Sequence, residues 1–416
     1  MLAEQALAVD SERLEHHLAT LATFSDAPAP AVTRVLYSDA DVRARAYLKD
    51  LIAEVGLSVR EDAIGNLFAR LPGQDDTLPA VATGSHIDAI PHSGRYDGTV
   101  GVLGGLEALR ALKEAGVTPK RPIELIMFTA EEPTRFGVGC VGSRALAGVL
   151  SADDLRALKD EDGRSFDDVR TAAGFTGRLE EVGLEPGHYH HFVELHIEQG
   201  PHLEAQNLNI GVVDAIAAPA TLHITVHGQG GHAGAVLMPH RHDALVAGAI
   251  LAQAVEDAAR SSGAEDTVAT VGIFDVHPRA VNSIPSRVFM SVDARDTDAA
   301  RRDEAIAKIR QAAERIAQER DVRIDIETLN ADPPATCGEE IVGTIREAAE
   351  GMGLAHTTLV SRAYHDALFM DRICPIGMVF IPCHQGISHR PDEYSAPDDI
   401  ANGVRVLAQT LANLAS

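Results

Sequence analysis

Residues 215–331 constrain the fold of this chain most, because they read as a complete β-α-β-β-α-β unit set between two stretches of a different kind. TLHITVHG alternates as a strand does, and DALVAGAILAQAVEDAARS has the length and apolar spacing of a helix. VATVGIFDVHP and SRVFMSVDARD read as two further strands. DAARRDEAIAKIRQAAERIAQER follows as a helix with Ile306, Ile309, Ala313 and Ile316 on one stripe, and VRIDIETLN closes the block with strict alternation. This order belongs to a ferredoxin-like α+β unit. ADPPA, directly after it, is the clearest hinge in the chain.

Ahead of the block the pattern is α/β. Residues 10–24 and 40–56 read as helices, and LSVREDAIGNLFARLPG as two short strands around a turn. PAVATGSHID is an apolar strand ending in polar residues, 98–116 turn from Gly-rich to helical, and RPIELIMFTAEE is a β-rich run ending in two carboxylates. Strand, helix, strand in that order implies a parallel sheet with helices on its faces. Working residues in such sheets sit beyond the carboxyl ends of the strands. His86 and the pair Glu131-Glu132 both fall there.

Those residues belong to a set that suits two adjacent divalent cations. His86 and Asp88 form an HxD pair at a strand end, where period-2 geometry lets Asp88 steady the imidazole from behind. Asp97 lies in the Gly-rich turn GRYDGTVG, free to reach between two ions. Glu131 and Glu132, being adjacent, face opposite ways in extended backbone, so one can ligate while the other faces a substrate. His196 in VELHIEQGPHLE and His389 in GISHRPDEYS complete the set. Mixed imidazole and carboxylate ligands suit borderline metals such as Zn²⁺ or Mn²⁺. Taken singly, an HxD pair or an EE pair is usually surface charge; the conjunction at strand ends points to a dimetal site. Ligands on both sides of 215–331 imply that this block is an insertion, splitting a first domain into 1–214 and 332–416.

GSHID, YDGTVGVLGGLEAL, EEPTRFG, ELHIEQGP, GGHAGAVLMPHR and GISHRPDEYS, in this order, resemble the hydantoinase/carbamoylase branch of the dimetal aminoacylase/carboxypeptidase superfamily. The resemblance runs from the first helix to ANGVRVLAQTL, and the His of HIEQG distinguishes this branch from peptidases, which typically carry a carboxylate there. It implies an α/β, metallopeptidase-like catalytic domain with a mixed, largely parallel sheet, and an inserted ferredoxin-like α+β lid that forms a homodimer. It also implies that His86, Asp97 and His196 bind one metal and Asp97, Glu132 and His389 the other, with Glu131 as general base. The metals implied are two divalent ions per subunit, Mn²⁺ or Zn²⁺, with Ni²⁺ or Co²⁺ as further options. The implied reaction is hydrolysis of the ureido group of a small anionic ureido acid, with ureidoglycolate favoured and N-carbamoyl-L-amino acids or allantoate as the alternatives.

The same resemblance gives His232 an oxyanion-stabilising role exercised on the opposite subunit. It assigns Asn282 and Arg295 to the substrate carboxylate, and Gln199, more weakly, to the ureido end. Tyr364 stands before His365-Asp366 where many carbamoylases have a small residue. Its bulk would shorten the pocket and its hydroxyl could bind a polar group; packing under the site is the other reading. His365 and Asp366 would support either the metals or the carboxylate site. A dipeptidase or aminoacylase is the competing enzyme reading, and a silent dimeric binding protein the non-enzymatic one. The second would require a missing ligand or base, and all are present.

Composition narrows the partners. A formal charge of −25, from 36 basic and 61 acidic residues, repels nucleic acid and anionic lipid. No apolar run approaches the roughly 20 residues of a membrane span, and MLAEQALAVDSERLEHHL lacks the basic-then-apolar form of a signal peptide. The four cysteines form no CxxC pair and read as reduced thiols of a cytoplasmic protein.

Overall fold

Runs as apolar as IELIMF and IGMVFI leave no face for water, so both faces of such strands must be covered. In the computed structural model, which describes residues 7–416, they become strands Ile123–Phe128 and Ile376–Ile381, buried along their whole length. The opening residues of the stretch read as lacking a signal peptide lie outside the described part. Contacts divide the chain into two compact units. One comprises residues up to Asp214 with Thr336–Leu359 and His365–Ser416; the other comprises Ala215–Ala335 with Val360–Tyr364.

The first unit holds a mixed sheet. Its centre is four parallel strands in the order Ile376–Ile381, Tyr189–Ile197, Ala80–His86, Ile123–Phe128. Antiparallel strands flank them, Ile210–Ile216 on one side and Leu67–Leu71 with Ser58–Glu61 on the other. The helix Thr99–Glu114 packs closely on this sheet because its contact face is glycine. A Cβ on Gly101 would lie 2.4 Å from the Leu195 carbonyl oxygen. Pro397–Leu414 packs beside it, with Val404, Leu407 and Leu411 in the same core. Among the described residues no helix is long and apolar enough to cross a membrane.

The second unit follows β-α-β-β-α-β order. Its sheet runs Val268–His277, Arg287–Asp296, Ala218–His227, Arg323–Ala331, with every neighbouring pair antiparallel. Helices Ala244–Arg260 and Ala299–Arg320 start at Asp243 and Asp298, whose carboxylates accept from the first-turn amides. Their apolar faces close on Leu222, Ile224, Val288 and Met290. On the second helix Ile309, Ala313 and Ile316 are buried as the stripe requires. Ile306 is only partly covered, and Ala305 takes the buried place beside it.

Candidate functional site

The carboxyl ends of the four parallel strands converge. His86 is the last residue of its strand, His196 the last but one of the next, and Glu131 and Glu132 follow Phe128 after two residues. His389 lies beyond Ile381. Asp97 sits just before the helix Thr99–Glu114, its carboxylate shared among three imidazoles. Oδ1 lies 3.4 Å from His86 Nε2 and 3.2 Å from His196 Nε2. Oδ2 lies 3.4 Å from His389 Nε2, which is in turn 3.2 Å from Glu132 Oε1. Ligand atoms about 2.1 Å from one tetrahedral cation stand about 3.4 Å apart. Two groups therefore have coordination spacing, His86-Asp97-His196 and Asp97-Glu132-His389, with one oxygen of Asp97 turned to each.

The imidazoles are held in the matching tautomers. His196 Nδ1 is 2.9 Å from the Ile197 carbonyl and His86 Nδ1 is 3.1 Å from the Asp88 carbonyl, leaving both Nε2 atoms turned inward. Asp88 thus supports His86 mainly through its backbone, since its carboxylate stands 3.5 Å away. That carboxylate accepts instead from the amides of Glu131 (3.2 Å) and Glu132 (3.0 Å), fixing the turn that presents both acids.

Further supports are not visible as motifs. Glu393 accepts the amides of Tyr96 and Asp97 on Oε1, and the Ser388 hydroxyl lies 2.6 Å from Asp97 Oδ2 and 3.0 Å from Glu393 Oε2. Glu194 accepts from Ser85 Oγ and from the Ala367 amide. It lies within coordination reach of His196 and His365, yet both its oxygens are occupied, so it braces the site. It stands two residues before His196 on one strand, so period-2 reading of FVELHIEQG would have placed both on one face. His365 meets His196 edge-on at 4.5 Å between ring centres, and Asp366 accepts from Ser143 Oγ at 2.5 Å. Buried Arg34 donates to the carbonyls of Leu21, Phe24 and Ile87, tying the first helix to the residue between His86 and Asp88.

Buried acid dominates the electrostatics. Burial lifts Glu131 well above the usual carboxylate range; His86 opposes this, while Glu132, Asp366 and Asp97 add to it. Burial also favours the neutral form of Asp97, yet the imidazoles of His196, His389 and His86 pull it well below its ordinary value. Asp97 and Glu132 raise His389 to about 11. A cluster that draws charge onto its imidazoles in this way is one that cations neutralise, so the donor set fits the two divalent ions expected.

Gln199, in a left-handed conformation, donates from Nε2 to Asp97 Oδ2 at 2.7 Å, and its Oε1 is buried with no protein partner. The remaining expected residues lie in the second unit. His232 and Asn282 are neighbours, on Gly231–His232 and just ahead of Ser283–Ile284, two short strands that pair. His232 Nδ1 accepts from the Gly234 amide, which leaves the proton of a neutral ring on Nε2. Arg295 is paired with Asp293 through Nε (2.7 Å) and Nη2 (3.2 Å) and donates to the Arg362 carbonyl. Tyr364 donates to Asp332 at 3.0 Å.

Gly98 offers a test of the first cation group. It has φ +63°, and a Cβ there would lie 2.3 Å from His86 Nε2. Gly98→Ala should push His86 aside and lower the number of divalent cations the chain binds, measurable by elemental analysis.

The model of peptidase family M20/M25/M40 matches residues 82–413. The chain is 53% identical over 418 residues to the ureidoglycolate hydrolase of Arabidopsis thaliana, which spans 98% of this chain and 87% of that one. It is 38% identical over 408 residues to the N-carbamoyl-L-amino acid amidohydrolase of Geobacillus stearothermophilus, covering 98% and 99%. The crystal structure of AtUAH in complex with (S)-hydroxyglycine matches with a TM-score of 0.89 and 52% identity over 99% of each chain.

Proposed function

The chain belongs to peptidase family M20/M25/M40, in its hydantoinase/carbamoylase branch, and on that premise we propose that it is a dimetal amidohydrolase acting on ureidoglycolate. The observation that carries the reading is the division of Asp97, one oxygen facing His86 and His196 and the other facing His389 beside Glu132. His86, Asp97 and His196 would hold one cation, and Asp97, Glu132 and His389 the other. Mn²⁺ and Zn²⁺ are the first choices and Ni²⁺ or Co²⁺ further ones. When bound, such ions polarise a carbonyl and acidify an attacking water.

Glu131, buried and turned towards the ligands, takes the proton from the water that attacks the ureido carbonyl, then gives it to the departing nitrogen. The C–N bond to the terminal amine breaks, releasing ammonia and a carbamate that loses CO₂. The amine left behind collapses to glyoxylate with a second ammonia. The free Oε1 of Gln199 suits the terminal ureido N–H groups, the outward Nε2 of His232 suits the developing oxyanion, and Arg295, oriented by Asp293, suits the carboxylate together with Asn282. Asp88, His365 and Asp366 hold this constellation in place.

Residues 1–214 and 332–416 form the catalytic domain in this reading, and 215–331 the ferredoxin-like lid and dimerisation domain. Strand geometry supports a homodimer. Arg295 is near one end of Arg287–Asp296, whereas His232 and Asn282 lie beyond the other. Eight residue steps at roughly 3.3 Å give about 26 Å, too far for one small acid to touch both within a chain. Leu237, Met238 and Val281, on the loops carrying His232 and Asn282, are the most exposed large apolar side chains among the described residues. Of the two sheet edges, Arg323–Ala331 exposes Leu329 but carries Arg323, Asp325 and Glu327, whereas Val268–His277 has Asp275 alone and exposes Val268 and Ile273. An apolar edge suits pairing with its twin. Four buried, unpaired cysteines support a cytoplasmic setting.

Two outcomes are expected. Metal-loaded protein should release ammonia from a ureido acid and leave a dipeptide intact; the reverse would return the reading to a peptidase. His232→Ala should keep its cations and lose most of kcat. Mixing it with Glu131→Gln should restore part of the activity, since a heterodimer regains one intact site. No recovery despite subunit exchange, followed by native mass spectrometry, would overturn action across the dimer.

A further inference from the structure

We propose that Cys140 is a positioning residue for Glu131, its thiol holding the carboxylate of the general base in line for the attacking water. This rests on the reading of Glu131 as the base. Cys140 grips Glu131 at two points. Its amide donates to the Glu131 carbonyl at 2.7 Å, and Sγ stands 3.6 Å from Glu131 Oε1, a hydrogen-bond distance for the larger sulfur atom. Oε2 is left facing the ligands, 3.8 Å from His86 Nε2.

The backbone is built to bring the thiol there. Val141 and Gly142 donate to the carbonyls of Ala130 and Thr129 at 2.8 and 2.7 Å, closing the neck of the loop that begins with Glu131. Ala130 and Cys140, facing one another across this neck, have φ of +55° and +53°. Side chains other than glycine hold that conformation at a cost, and it tends to persist where a site depends on it. The Cys140 side chain is fully buried, and all four cysteines are free. Burial, helped by the charges of Glu131 and Asp366, pushes the thiol well above its ordinary range, so it remains a donor. A thiol is a weak donor. It orients the carboxylate through Oε1 and leaves Oε2 free to receive the proton from water.

The test is a kinetic cycle on enzyme loaded with Mn²⁺. Cys140→Ala should lower kcat for ammonia release from ureidoglycolate about tenfold. KM and the two cations per chain should stay within about twofold. Cys140→Ser, which restores a donor on a shorter bond, should fall between the alanine variant and the parent. In a Glu131→Gln background the alanine change should cost nothing further, because no base remains to be aimed. Unchanged kcat in Cys140→Ala, loss of cations or a raised KM in place of the kcat effect, or the same tenfold loss in the Gln background would each overturn the proposal. A Glu131→Gln variant with full turnover would instead remove the base reading itself. A silent Cys140→Ala beside an inactive Glu131→Gln removes only the positioning role.

Discussion

Exchanging Glu131 for Gln is expected to reduce kcat by about 10²- to 10⁴-fold while both cations remain bound. Glutamine has the shape of the acid and keeps the backbone amide that Asp88 accepts, but it cannot take a proton from water. The residue is also not placed to ligate as Glu132 is, for its nearest imidazole contact is 3.8 Å against the 3.2 Å from Glu132 to His389. Elemental analysis should therefore find two cations per chain with KM little changed. Loss of a cation would make Glu131 a ligand and leave the base unassigned.

Asp97→Asn should have an effect as large by another route. One carboxylate serves both ligand groups, so its loss should empty both, and activity should fall by at least about 10³-fold. His389→Ala is the control. His389 joins the group of Asp97 and Glu132 and is absent from that of His86 and His196, so this variant should lose one cation and keep the other. Cation counts near zero for Asp97→Asn and near one for His389→Ala would establish the bridge. Equal counts would mean that Asp97 serves one group only.

Much of this candidate site was legible because the residues it gathers stand at punctuation points of the chain. His86, the Glu131-Glu132 pair and His196 sit at ends of apolar runs, and Asp97 in a glycine turn before a helix. What sequence could not supply is which residues hold the ligands still. Glu393 acts on the amides of Tyr96 and Asp97, nearly 300 positions earlier, and amides leave no trace in residue spacing. Arg34 likewise speaks only to carbonyl oxygens. Asp88 was visible as a partner of His86, but its main carboxylate bonds, to the two glutamate amides, depend on two strands lying side by side. The β-α-β-β-α-β block was readable from alternation alone. The antiparallel flanks of the larger sheet depend on long-range pairing, as does the placement of Val360–Tyr364 with the second unit.

The most direct test is the specificity of ammonia release by protein reconstituted separately with Mn²⁺ and Zn²⁺. The substrates compared would be ureidoglycolate, allantoate, N-carbamoyl-L-amino acids, N-carbamoyl-β-alanine and a dipeptide. The highest kcat/KM should be for ureidoglycolate, with glyoxylate as co-product and no turnover after chelation of the metal. Turnover that survives complete removal of metal, or a higher kcat/KM for any other member of the panel, would contradict a metal-dependent ureidoglycolate amidohydrolase.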